Sequence, residues 1–206
     1  MPAKEIVGSR EKHEAILAAA LTLFGHYGYR RTSIDDIAQE AGIAKGTVYL
    51  YFRSKEEIFR ALSQQLLGHV LLVAEDAANT EGPIEPRLRM LMEAKFGYFF
   101  DLMHRSAHVR ELIDAKNDLC ADLFAQADRR YGQLLTRTIA TAVAAKELQL
   151  DAVDLDAAAA AELLIRSASG LGTYGTTPLT QAAFRRHLHA LVRVFVVGFG
   201  GTISTQ

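Results

Sequence analysis

Apolar residues recur along most of the chain at the three- and four-residue spacing of amphipathic helices, and alternating β-branched runs are scarce. Ile16, Ala20, Leu23, Phe24 and Tyr27 make one such face and predict a first helix over residues 10–27, closed by Gly28. Residues 1–9 before it read as a loose arm. Ile34, Ile37 and Ala38 form a short second stripe, opened by Ser33 with Asp36 as its capping-box partner and broken at Gly42. A third short helix is expected from Lys45 to Phe52. Ser54 then caps a long helix, with Glu57 three residues on, whose row of Ile58, Phe59, Leu62, Leu66, Val70 and Val73 carries it to about Ala77.

Gly82 and Pro83 mark a loop over residues 79–85, and a helix apolar on nearly all sides is expected over 87–104. A shorter helix over 108–115 and a long one over 118–146 follow. Asp154 or Asp156 is placed to cap an alanine-rich helix over 157–174, residues 176–178 turn the chain, and a last helix spans 180–199. The pattern is all-α, about nine helices, in two parts: a three-helix N-terminal domain over residues 1–54 and a helical domain over 55–206.

The third helix is the informative one. At 100° per residue Val48 and Phe52 share one side while Leu50 points away from them, flanked by Gly46 and Thr47. A leucine beside Tyr49 and Tyr51 on an outward face needs something to cover it. Two short helices around a glycine turn, the second with an outward contact face, are the pattern of a helix-turn-helix whose second helix enters the major groove of double-stranded DNA. Lys45 and Thr47 then sit within reach of phosphate or a base edge. Tyr49 and Tyr51 can give their hydroxyls to backbone oxygens, Leu50 can meet a thymine methyl, and Lys55 can meet a phosphate.

Composition narrows the rest. Half of the 206 residues are hydrophobic and 23% are charged, enough for a sizeable core, and the net charge of −1 excludes a general nucleic-acid coat protein. Basic charge is local instead: Lys45, Arg53 and Lys55 stand with no acid among them. The single cysteine, Cys120, leaves no internal disulfide and fits a reducing cytosol, and no apolar run reaches membrane-spanning length, so a cytoplasmic protein is expected. His104 and His108 have a metal-compatible spacing with Glu111 and Asp114 near, but no cysteine or third histidine joins them locally and the stretch reads as a helix junction, so no metal is expected. The G-x-G-x-x-G run of Gly170, Gly172 and Gly175 ends a helix where the dinucleotide fingerprint would follow a strand, so it reads as close helix packing or a helix end, and no cofactor is expected. No Ser/His/Asp grouping argues for catalysis, and the chain is not read as an enzyme.

Over residues 12–60 the segments LFGHYGY, RRTSIDDIAQEAGIAKGTVYLYF and RSKEEIF resemble the DNA-binding domain of the tetracycline-repressor (TetR) family. Ala44 departs from it, standing where the family often has a serine or threonine to cap the recognition helix. The resemblance implies that the Thr32 hydroxyl holds a phosphate and that the helix beginning at Lys55 connects a ligand domain to the reading head. It also implies a small-molecule pocket among the helices that carry Phe96, Phe99, Phe100, Met103, His104, Phe124 and Tyr131, a wall suited to an apolar ligand. The expected function is a repressor that binds a palindromic operator as a homodimer and is released by that ligand. The competing readings are a helical enzyme or ligand carrier with a vestigial helix-turn-helix, and an architectural DNA-binding protein without ligand. The last two helices carry apolar rows, Leu163, Leu164, Ala168 and Leu171 on one and Phe184, Leu188, Leu191, Val192, Phe195, Val196 and Phe199 on the other, more than one helix face needs, and a four-helix dimer seam is expected to bury the surplus.

Overall fold

A computed structural model describes residues 3–106, 108–171 and 179–202, and among them every regular element is helical. The turn expected at 176–178, and Gly172 and Gly175 of the glycine run, lie outside the described residues. The chain forms two compact units. One comprises the residues up to Leu67 together with Met103–Phe124, the other Gly68–Leu102 together with the residues from Ala125 on. No described helix is long and apolar enough to cross a membrane.

The first unit opens with α1 (Ala3–Tyr27), which takes in most of the expected arm. Ile16, Ala20, Leu23 and Phe24 are buried as their spacing requires, but Tyr27, counted into that face, is exposed. Helix α2 (Ile34–Glu40) begins with the capping box: Asp36 N–H donates to the Ser33 hydroxyl and the Asp36 carboxylate accepts from Ser33 N–H at 2.8 Å. Helix α3 (Lys45–Tyr51) follows, and α4 (Lys55–Asn79) starts on Ser54, whose hydroxyl accepts from Glu57 N–H. The return bond of that second box falls one residue early, because Glu57 accepts from Arg53 N–H rather than from Ser54.

The expected break between two helices at residues 116–117 is absent. A single helix, α7 (Val109–Ala144), runs through it. Asn117 and Asp118, which look like a cap in sequence, sit on its exposed side, while Ala115 and Cys120 are buried in the core made by α1 to α4. Burial on both sides of the junction keeps the helix continuous. Arg60 forks the Asp122 carboxylate at 2.8 and 2.9 Å and also donates to the Leu119 carbonyl, joining α4 to α7 within this unit.

In the second unit α5 (Ile84–Met92) starts three residues earlier than its pattern suggests, because Pro83 occupies the cap position and the Glu147 carboxylate accepts Ile84 N–H at 2.8 Å. A π-helical turn (Glu93–Gly97) leads into α6 (Tyr98–His104). Asp156, the second of two candidates, caps α8 (Ala157–Gly170), and Thr180 caps α9 (Gln181–Gly198). Phe184, Leu188, Val192, Phe195, Val196 and Phe199 of α9 are buried in this unit's own core with Leu164 and Ala168. Of the two rows Leu163 stays exposed, and on α9 Val194 (70% exposed) and Val197 (55%), outside the row, are uncovered as well. The chain then closes at Gly201, where a Cβ would come 2.7 Å from Val196 Cγ1 and 2.9 Å from the Glu147 carbonyl.

Candidate nucleic-acid interface

Helix α3 divides as its wheel predicts. Val48 and Phe52 are buried against α1 and α4, whereas Leu50 is 84% and Tyr49 48% exposed. An apolar side chain held this far into solvent on a helix of two turns has no packing role. Gly46 beside it is exposed and Thr47 half-buried. Tyr51, expected on the outward face, instead turns its ring toward His13 of α1, with centroids 6.3 Å apart, and packs partly on the core. Ala44 takes the cap position of α3 and supplies no side-chain bond.

Lys45 is not a free cation. Its ammonium donates to the Asp35 carboxylate of α2 at 2.8 Å, and that bond holds the lysine above its ordinary pKa. Both side chains are more than half exposed. Asp36, beside Asp35, is held below the usual carboxylate range by its bonds from Ser33.

Two other expected contacts face inward. Thr32 is 2% exposed and its hydroxyl donates to the Gly28 carbonyl at 2.8 Å, so that proton holds the turn between α1 and α2. Lys55 donates to the carbonyls of Tyr29 (2.8 Å), Thr32 (2.9 Å) and Arg30 (3.3 Å), and its ammonium lies 4.5 Å from the centre of the Tyr29 ring. Three protons on three carbonyls leave none for a phosphate. In this structure Lys55, expected at a phosphate, pins the turn instead. Its sequence position gave no hint, because the three carbonyls lie 23 to 26 residues away.

Sequence reasoning also missed the other side of that turn. The Glu111 carboxylate of α7 accepts Arg30 N–H, Ser106 Oγ donates to the Gly25 carbonyl at 3.0 Å, and the Arg31 guanidinium lies 3.3 Å from His108 Nδ1. Gly28, at φ +86°, lets Glu111 approach: a Cβ there would stand 2.5 Å from Glu111 Oε2. Arg30 and Arg31 are exposed on this doubly held turn.

The residues expected to line a pocket divide between the units. Phe96, Phe99, Phe100 and Tyr131 belong to the second, and Met103, His104 and Phe124 to the first. Tyr131 is buried with its hydroxyl on the Leu91 carbonyl at 2.9 Å, Phe96 meets its ring edge-on, and Phe100 stacks on Phe184 with centroids 3.9 Å apart. Phe124 lies under the Lys116 ammonium, and His104 is exposed. The described residues hold no group of three potential metal ligands. In the second unit an open cleft of about 490 Å³ runs between α7 and α8, lined by Gly132, Thr136, Ala161, Ile165 and the Glu162–Arg166 ion pair among others.

Residues 16–62 match the family model described as bacterial regulatory proteins, tetR family. The fatty acid metabolism regulator protein of Bacillus subtilis is 30% identical over 87 residues, 42% of this chain and 45% of that one. The transcriptional repressor KstR2 of Rhodococcus jostii is 32% identical over 97 residues, 45% of this chain and 48% of that one. The chain thus spans just under half the length of these curated relatives. The fold extends further: the crystal structure of the transcriptional regulator FadR from Bacillus subtilis in complex with stearoyl-CoA superposes with a TM-score of 0.61 at 19% identity, covering 90% of this chain and 98% of that one. Over residues 16–62 the chain thus carries the reading-head sequence of the tetR family of bacterial regulatory proteins, and over nine-tenths of its length it shares the fold of such a regulator.

Proposed function

We propose that the protein is a cytoplasmic transcriptional repressor that binds a palindromic operator as a homodimer and leaves it when a small apolar ligand binds. The observation that carries the DNA reading is Leu50. It is almost fully in solvent on a short helix whose reverse face is buried, and thymine methyls in a major groove are the surface that would cover it. Val194, Val197 and Leu163 are the apolar residues left for a second copy, and two copies set two recognition helices against two half-sites. A ligand of acyl-chain type is suggested by the stearoyl-CoA of the structural relative and by the aromatic interior around Phe96 and Phe100. Release requires that the ligand bind the DNA-incompetent state more tightly, whatever its absolute affinity. Helices α4, α6 and α7 each pass from one unit into the other, so three elements, rather than α4 alone, are available to carry that difference.

Footprinting the purified protein on DNA flanking its own gene tests the reading. Protection of one palindrome that fades on addition of an acyl-CoA supports all of it. Equal binding to every duplex favours an architectural protein, and no binding to any duplex returns the helical domain to the enzyme or carrier reading.

A further inference from the structure

Helix α3 has seven residues, and its start takes no side-chain bond from Ala44. A helix of two turns is marginal alone and owes its geometry to packing. Val48 seats its middle in the core. At its last turn stands His13, a half-buried residue of α1. The imidazole lies tilted over the buried Phe52 ring, with centroids 5.0 Å apart, and meets the Tyr51 ring edge-on at 6.3 Å. Phe52 itself ends the helix in extended conformation, its N–H donating to the Val48 carbonyl at 2.9 Å. The two ends of Tyr51 are treated differently. Its ring is packed, whereas its hydroxyl bonds to none of the described residues and is not buried. A tyrosine held this way presents one donor at a fixed place on the rim of the recognition helix.

We infer that His13 is a positioning residue for DNA binding: it locks the Tyr51 ring so that the hydroxyl stands ready to donate to a backbone phosphate. This rests on the DNA-binding reading above. Tyr51 is the last residue of α3, so no further turn of helix restrains its side chain. A ring free to change rotamer must be frozen when the phosphate bond forms, and that ordering cancels much of what the bond gains. The edge-on contact with His13 meets the ordering cost during folding, before DNA arrives, and the bond then counts in full. His13 itself needs no contact with DNA for this. Backbone contacts carry no sequence information, so the gain is the same on every duplex and sets affinity rather than base preference. Leu50 and Tyr51 thereby divide the work of α3, one facing bases and one facing the strand.

The test is a double-mutant cycle on the full chain, read as affinity for a scrambled duplex and for one that the wild type selects from a random pool. Tyr51→Phe keeps the ring and removes the donor, and should weaken both duplexes by about 10-fold per bound head. In a His13→Ala background the same change should cost about threefold or less, because the unlocked hydroxyl contributes little there. His13→Phe restores a ring beside Tyr51, and with it the 10-fold cost of losing the hydroxyl. If His13→Ala does not fold, His13→Gln, which has comparable reach and no ring, takes its place in the cycle. A cost of Tyr51→Phe that is the same with and without the His13 ring would overturn the inference. So would a loss confined to the selected duplex, which would make Tyr51 a reader of bases, or no loss at all. Wild-type protein that binds neither duplex defeats the DNA-binding reading itself, a result separate from these.

Discussion

The Lys55 ammonium donates to the Thr32 carbonyl 2.9 Å away, tying the first turn of α4 to the residue just ahead of α2. The same ammonium reaches Tyr29 and Arg30, so one side chain holds three successive bends of the turn. Lys55→Ala should thus act on stability first. Three carbonyls lose a charged donor, and the head should weaken by about 1.5–3 kcal/mol. Below its melting temperature the variant should keep the wild-type salt slope on DNA. A slope flatter by one unit with an unchanged melting temperature would instead make Lys55 a phosphate ligand.

Leu50→Ala removes exposed surface only, so folding should stay within about 0.5 kcal/mol of wild type. Its effect belongs to recognition: preference at one base pair of each half-site should relax by about 1 kcal/mol, the low end expected for a methyl contact. Selection from randomised DNA with both proteins would show this as one blurred position. A uniform loss across the site would contradict it.

Gly28→Ala meets two costs. The left-handed backbone disfavours a Cβ by about 1–2 kcal/mol, and the new methyl collides with the Glu111 carboxylate that accepts Arg30 N–H. Adding Glu111→Ala should recover the steric part and leave the conformational part. Denaturation of both singles and the double variant measures the coupling, and strict additivity would mean that Glu111 moves aside freely.

Arg60 holds the Asp122 carboxyl at about 2, below its ordinary 3.8. A depressed acid contributes stability that is complete above its unfolded pKa and is lost as pH falls toward the folded value. Asp122→Asn should therefore unfold at lower urea than wild type at pH 6, and the gap should close between pH 4 and pH 2. A gap that persisted at pH 2 would show that the Arg60 pair is not its source.

Val194→Glu together with Val197→Glu places charge on the uncovered side of α9 while sparing its buried row. A protein that sediments as a dimer at micromolar concentration should become a folded monomer. Unchanged sedimentation would move the interface elsewhere.

The residues read correctly from sequence were those whose meaning is local. Ser33 with Asp36, and Val48 against Leu50, depend on positions within a turn or two, and helical periodicity fixes them. The partners of Lys55 in this structure are not legible in sequence, because they are carbonyls brought to it by the fold. An apolar stripe does not say whose core it enters, so the sequence leaves open which part of the α9 row a partner would cover; Phe184 and Val196 enter their own unit's core. Asn117 and Asp118 carry a genuine capping signal, overridden by the burial of Ala115 and Cys120 on either side.

Those last two residues bear on how the protein is made. The core that seats α3 is complete only when the first half of α7 has joined it, yet α7 is encoded far downstream of the reading head. A ribosome adding ~5–20 residues per second needs roughly 3–11 s to pass from Leu67 to Phe124. Through that interval Phe59 and Ile58 lack part of their cover, and a nascent chain carries every base-reading residue without the finished support beneath them. The finished seat of α3 is thus deferred until more than half of the polypeptide exists.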